Sequence, residues 1–240
     1  IEDIISKHYT TRNTQNPRDL IDTYLTQFEN DKDNPNSSFS EENLMLILDL
    51  FVAGTETTFT TLRWGLLFMM IYPDIQARCH EEIDRVVGLK RLPHTEDRHN
   101  LPYTVDAVIH EIQRFGSNVV PLGVGHTTTK DVVFQEYLIP KNTLVMLNLM
   151  SVLNDESQWK THKFNPNNFL DINGQFVKPD TFLPFSAGPR ICLGEHLAKV
   201  ELFISFISLL QHLRIIGLTL SHHLPWSLFP RLHQLPSHTN

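Results

Sequence analysis

From Ser40 to Tyr72 the sequence reads SEENLMLILDLFVAGTETTFTTLRWGLLFMMIY, free of proline, and Pro73 follows at once. Ser40 offers a side-chain oxygen to cap a helix, and Glu41 and Glu42 in the first turn complement the positive end of its dipole. The run predicts one helix of about 32 residues, about 48 Å long. A globule of 240 residues has a radius of gyration of about 18 Å and a diameter of about 46 Å, so such a helix crosses the entire body. Ordinary helices average about 12 residues. A membrane span is the competing reading, but Asp49, Glu56 and Arg63 interrupt the apolar character. The expectation is a central helix of a larger body.

The rest of the chain reads as further helices around one small sheet. Residues 17–29 repeat apolar side chains at Leu20, Ile21, Tyr24, Leu25 and Phe28, which is helical spacing behind Pro17. The stretch NDKDNPNSS is a loop. After Pro73, DIQARCHEEIDRVVG predicts an amphipathic helix stopped by Gly88, and PYTVDAVIHEIQRF a short one from about Tyr103 to Phe115. Between residues 132 and 148, VVFQEYLI and TLVMLNL flank the turn Pro140-Lys141-Asn142, a hairpin signal. Residues 194–213 are apolar on nearly every face beyond the first turn, so that helix should be buried. This order argues for a mainly helical architecture.

Composition narrows the function classes. Hydrophobic residues make up 41% and charged residues 20%, so the chain expects a core. A net charge of -7 gives no bulk attraction to phosphate, which makes nucleic acid a poor partner. Two cysteines, Cys79 and Cys192, make no disulfide framework. Cys79 reads as structural. The N-terminus carries charge from its second residue and has no apolar signal run, so the protein is either soluble or its beginning is missing.

Three short constellations carry chemistry. In Phe185-Ser-Ala-Gly188-Pro-Arg190-Ile-Cys192-Leu-Gly194, two glycines and a proline bracket a cysteine at the start of the last helix. The helix dipole and Arg190 favour a thiolate there, able to bind a metal or act as a nucleophile. A buried structural cysteine is the plain alternative. No second soft ligand stands nearby, so a four-ligand zinc site would need distant histidines, whereas haem iron needs only one protein ligand from this face. Mid-way along the long helix, Ala53-Gly54-Thr55-Glu56-Thr57-Thr58 places polar side chains where helix propensity and desolvation both count against them. A polar stripe facing solvent is the alternative. Glu111 and Arg114, three residues apart, read on their own as a weak surface pair.

The cysteine decapeptide resembles the F-x-x-G-x-R-x-C-x-G signature of the cytochrome P-450 superfamily, matching at Phe185, Gly188, Arg190, Cys192 and Gly194. Ala53–Thr58 resembles the family's A/G-G-x-D/E-T-T segment, and Glu111–Arg114 its E-x-x-R, in the same chain order, which implies that these two residues are structural and pin the meander before the cysteine loop. Phrases such as TETTFTTLRWGLL, PYTVDAVIHEIQRF and PFSAGPRICLGE are similar to vertebrate microsomal enzymes of family 2, which oxidise fatty acids, steroids and foreign compounds.

The resemblance implies a mainly α fold: the C-terminal half of the cytochrome P-450 domain, with the long central helix, a small β-hairpin and the cysteine-ligand loop before a buried helix. It implies haem b (iron protoporphyrin IX) with Cys192 as the metal ligand, Arg190 and His126 at the propionates, and Phe185, Gly194 and Ala53 about the ring. Glu56 and Thr57 would relay protons to dioxygen. Ala53, Gly54, Thr57, Val119, Val120 and Leu122 would line a pocket for a small apolar organic substrate. Electrons would come from NADPH through a partner NADPH-cytochrome reductase docking near Cys192. A full-length relative would sit on the cytosolic face of the endoplasmic reticulum membrane, held by an N-terminal anchor missing here.

The likeness covers about residues 17 to 213. Residues 1–240 are expected to form a single partial domain lacking the family's N-terminal half, so that apolar surface faces water, with a divergent tail at 214–240. Asn168 stands where the family has Arg or His, which puts the support of Glu111 and Arg114 in doubt, and Gly125 replaces the usual proline before His126.

Overall fold

The computed structural model describes residues 1–116, 123–161 and 163–216. Among the described residues there are seven α-helices: α1 Glu2–Thr11, α2 Leu20–Asn30, α3 Glu41–Ile71, α4 Pro73–Val86, α5 His110–Phe115, α6 Leu149–Leu153 and α7 Glu195–His212. The long helix is present at 31 residues. Its cap is the expected one, because the Ser40 hydroxyl accepts from the Asn43 N–H at 3.1 Å. The Tyr24 hydroxyl from α2 reinforces that end, accepting from the Ser40 N–H and donating to the Ser40 carbonyl. At the other end the Tyr72 N–H closes on the Phe68 carbonyl, and Pro73 starts α4, where its missing N–H costs nothing.

α3 joins two cores. Near its start Leu44 packs with Ile5, Ile21, Tyr24 and Leu25 of α1 and α2. Near its end Phe68 and Met69 belong to the main core, which gathers Ile83 of α4, Ile112 of α5, Phe164, Phe169 and Phe182 from the loops, and Leu202 to Leu210 of α7. Between these anchors Leu46, Leu50, Phe51, Val52 and Phe59 are exposed. By length and composition α3 could cross a membrane, yet its second half is packed between helices. α1 has no counterpart in the sequence reading. It is held by Ile5 and by His8, whose Nε2 meets the N-cap carboxylate Asp19 at 2.9 Å.

Two sequence expectations are corrected. The segment expected as one helix from Tyr103 to Phe115 is a π-helix, Pro102–Ile109, running into α5. Its wide first turn is capped by a buried carboxylate: Glu82 of α4 accepts from the N–H groups of Tyr103 at 3.1 Å and Thr104 at 2.7 Å. The β-rich runs do not pair across Pro140-Lys141-Asn142. Instead 132–139 folds on itself, β1 Val132–Phe134 against β2 Tyr137–Ile139, turning at Gln135 with φ 53°. The second run, Leu144–Val145, pairs with His126–Thr127 upstream. The turn at 140–142, with Asn142 at φ 67°, redirects the chain to that outer ladder, and the Thr128 hydroxyl fastens it to the Pro140 carbonyl at 2.7 Å. The tight hairpin is nested inside a wider one.

α7 meets the expectation of a buried helix only in part: Leu202, Phe203, Phe206, Ile207 and Leu210 are buried on one face, residues 204, 205, 208 and 209 are half-buried, and Leu197 in the first turn is exposed. Gly65 sets the α3–α7 crossing. A Cβ there would come within 3.0 Å of Phe206 on α7 and 3.1 Å of Ile112 on α5. Three helices therefore converge on one missing side chain.

Candidate functional site

The cysteine loop is shaped by its own backbone. The Cys192 N–H donates to the Phe185 carbonyl at 2.9 Å, closing the loop, and the Glu195 N–H reaches the Cys192 carbonyl at 3.3 Å where α7 begins. Ser186 and Gly188 adopt left-handed φ of 66° and 73°, which lets the chain reverse twice within a few residues. Cys192 is a free, exposed thiol, so the alternative of a buried structural cysteine fits Cys79 and not this residue. Burial pushes the Cys79 thiol up to about 12 and leaves it inert. Phe185 is half-buried beneath Lys199, whose ammonium lies 5.7 Å from the ring centroid and pairs with Glu195 at 2.5 Å. Arg190 is exposed on the same loop, and Gly194 is the N-cap of α7.

The polar segment of α3 is neither buried nor a plain solvent stripe. Ala53 and Glu56 are exposed, and Gly54 and Thr57 are half-buried. The Thr57 hydroxyl donates to the Ala53 carbonyl at 2.6 Å, one turn back. Its proton is thus committed to the backbone, and its lone pairs remain as acceptors. One residue on, the Thr58 hydroxyl donates to Glu201 of α7 at 3.3 Å. This bond ties the threonine segment to the helix that follows Cys192. Glu201 escaped the sequence reading, although a lone carboxylate in the apolar run KVELFIS is the signal that could have found it.

Glu111 and Arg114 are the opposite of a surface pair. Both side chains are buried, and burial raises the Glu111 carboxyl despite the guanidinium beside it. Arg114 also donates to the Leu153 carbonyl at 2.9 Å, and Glu111 accepts from the Asn165 N–H at 2.8 Å. The doubt over Asn168 is resolved in part, since its amide donates to Glu111 at 3.1 Å while its own carbonyl oxygen, though buried, has no partner. His126 stands in the outer ladder with its Nδ1 buried and unpartnered. Val119, Val120 and Leu122 lie outside the described residues.

Sequence comparison decides the family. The sequence model of the family "Cytochrome P450" matches residues 1–224. The chain is 52% identical over 215 residues to cytochrome P450 2D6 of Homo sapiens, a match covering 88% of this chain and 43% of that protein. It is 50% identical over 217 residues to cytochrome P450 2C20 of Macaca fascicularis, covering 90% and 44%. The chain belongs to the cytochrome P450 family. The match starts ahead of the motifs read from the sequence and so takes in α1. This cytochrome P450 chain spans less than half the length of the curated relatives it matches.

The donor chemistry of the loop fits the haem that the family implies. Among the described residues, the one group of three clustered ligand atoms is His8, Asp19 and Asp22, away from either cysteine. Those atoms are already spent, because Ile4 and Asp19 engage the His8 ring and Arg18 holds Asp22 by two hydrogen bonds. A metal at Cys192 must therefore bring its remaining ligands with it, as a porphyrin does. The orphaned, buried Nδ1 of His126 calls for a polar partner, and a propionate carboxylate supplies one.

Proposed function

We propose that this chain carries the haem-thiolate half of a monooxygenase that inserts one oxygen atom of O2 into a small apolar organic substrate, a fatty acid, steroid or xenobiotic. Bound haem b would supply the activation of O2. Cys192 would hold the iron as its one protein ligand, and a thiolate donor there would push electron density onto the metal. Arg190 and His126 neutralise the propionates, Phe185 and Gly194 frame the thiolate, and Ala53 and Gly54 leave space against the ring. Thr57 offers acceptor lone pairs on the pocket side because its proton is held by Ala53. Glu56, exposed next to it, exchanges protons with water. Electrons reach the site from NADPH through a reductase on the Cys192 side, at the cytosolic face of the endoplasmic reticulum.

The observation that carries this reading is the cysteine loop, in which a free, exposed thiol is fixed by the Phe185 carbonyl at the start of α7. The test is to load the 240-residue chain with haem, reduce it, add CO and record the spectrum. A strongly red-shifted Soret band, abolished by Cys192→Ser, is expected. Product formation should then require NADPH and reductase, which separates a monooxygenase from a haem-thiolate isomerase.

A second reading has its own support. Leu193 is 91% exposed, and the turn of α3 before Ala53 shows Leu50, Phe51 and Val52 to solvent. A chain with that much uncovered apolar surface around the site would not hold haem stably by itself, and would then be non-catalytic. No red-shifted band from a folded chain decides for this reading.

A further inference from the structure

His110 begins α5 beside the buried Glu111, with a ring 7% exposed and neutral. Three phenylalanines surround it, with ring centroids at 5.5 Å for Phe169, 4.8 Å for Phe176 and 5.1 Å for Phe182. Phe169 and Phe182 also meet edge to face at 4.9 Å. All three belong to one folded-back segment, closed by the bridge between Leu170 and Phe176 and by the Val177 N–H on the Phe169 carbonyl at 2.9 Å. Lys178 covers the outer face of Phe182, 6.0 Å from its centroid. On the other side, His110 Nδ1 approaches the Val105 carbonyl of the π-helix at 3.4 Å.

Three residues after Phe182 the chain reaches Phe185, whose carbonyl holds Cys192. The loop itself has little packing, since residues 187–193 are all exposed. Its backbone hydrogen bonds are internal, from Cys192 to Phe185 and from Ile191 to Gly188, so they fix its shape while its position follows from where its two ends are anchored. α7 fixes one end, and Phe182 in its aromatic box fixes the other.

We propose that His110 is a positioning residue for the Cys192 loop: its ring forms the wall of the aromatic box that seats Phe182, and so couples the Glu111–Arg114 helix to the thiol. Flat-ring packing is what the box requires, with edge and face contacts no aliphatic side chain of that size provides. The inference deepens the proposed function and rests on Cys192 being its ligand, but the positioning itself can be read without haem.

Cys79 is fully buried, so a thiol-reactive nitroxide added to the native chain marks Cys192. The electron paramagnetic resonance line shape of that label in the haem-free, 240-residue protein is expected to be dominated by a slow component. His110→Ala should convert most of it to a fast component, and His110→Phe should restore the wild-type line. An unchanged line in His110→Ala, or a His110→Phe label as mobile as in the alanine variant, overturns the proposal. Should His110→Ala lose its far-ultraviolet helix signal, Phe182→Leu applies the same test from the other side of the contact, with a wild-type line again overturning it. CO spectra of the same variants keep the two claims apart. Loss of the red-shifted band in wild type defeats the haem-thiolate reading, while the nitroxide comparison still decides the role of His110.

Discussion

Glu111 and Arg114 meet through two parallel hydrogen bonds, Nε to Oε2 and Nη2 to Oε1, each 2.7 Å long. Their side chains are 0% and 1% exposed. At that depth each charge depends on the other, because an unpaired buried charge costs more than the pair contributes. Arg114→Met should destabilise the chain by about 3–5 kcal/mol, since it strands the Glu111 carboxylate and frees the Leu153 carbonyl. Adding Glu111→Gln should recover part of that loss, because the double variant buries no charge. Urea unfolding of the wild type, both single variants and the double variant checks the sign of the coupling.

Asn168 supplies one hydrogen bond to Glu111 and wastes another, because its Oδ1 is buried without a donor. Histidine at this position can also donate to Glu111, but a protonated ring carries a second N–H, so it trades the orphan acceptor for a buried unpaired donor and a further buried charge. Asn168→His should therefore not stabilise the fold, and Asn168→Ala should destabilise it by about 1 kcal/mol through loss of the Glu111 contact. Thermal unfolding of the three proteins at neutral pH orders them.

Local signals were legible in the sequence wherever one residue type decides the outcome. Ser40, Pro73 and Gly88 bound α3 and α4 as read, because capping oxygens, a missing N–H and a left-handed φ act within a few residues. The cysteine loop was legible for the same reason. What sequence did not carry was burial and partner choice. Taken alone, Glu111 and Arg114 read as a surface pair because i,i+3 spacing says nothing about what packs over them; only the resemblance marked them as structural, since the elements that cover them, near Leu153 and Asn165, lie far along the chain. The sheet misread has a similar origin. Two strand-like runs around Pro140 imply pairing with each other, but the two-residue turn at Gln135 competes and wins. The π-helix depends on Glu82, a carboxylate from another helix.

Gly65 tests the convergence of α3, α5 and α7. Alanine would gain about 1 kcal/mol of helix propensity over glycine. Against that, its Cβ would sit 3.0 Å from Phe206 and 3.1 Å from Ile112, and these side chains are only 1% and 3% exposed. Neither has room to withdraw, and overpacking of this kind costs about 1–3 kcal/mol. Packing should win, so Gly65→Ala is expected to lower stability by about 1 kcal/mol net, whereas Gly54→Ala, with open space around it, should raise it. Opposite shifts of the melting temperature in the two variants are the readout.

His110 gives the fold a defined acid response. Burial pushes its ring down to about 4 from an ordinary 6.5, and the positive charges of Arg98, Lys199 and Lys178 push the same way, against the opposing Val105 carbonyl. The unfolded chain therefore binds a proton at this site between pH 6.5 and 4 that the folded chain refuses. Stability from this residue is fully present above 6.5, falls as pH drops toward 4, and levels off below that, where both states are protonated. The whole span amounts to on the order of 3 kcal/mol. Other groups titrate in the same window, His8 among them with its pKa raised, so the measurable quantity is a difference. Subtracting the unfolding free energy of His110→Phe from that of wild type, pH by pH, cancels what the two proteins share. That difference should rise with pH across the window and be flat outside it. A flat difference throughout would mean that the ring titrates as freely in the fold as in the unfolded chain, which a histidine walled by three phenylalanines and shut from water does not do.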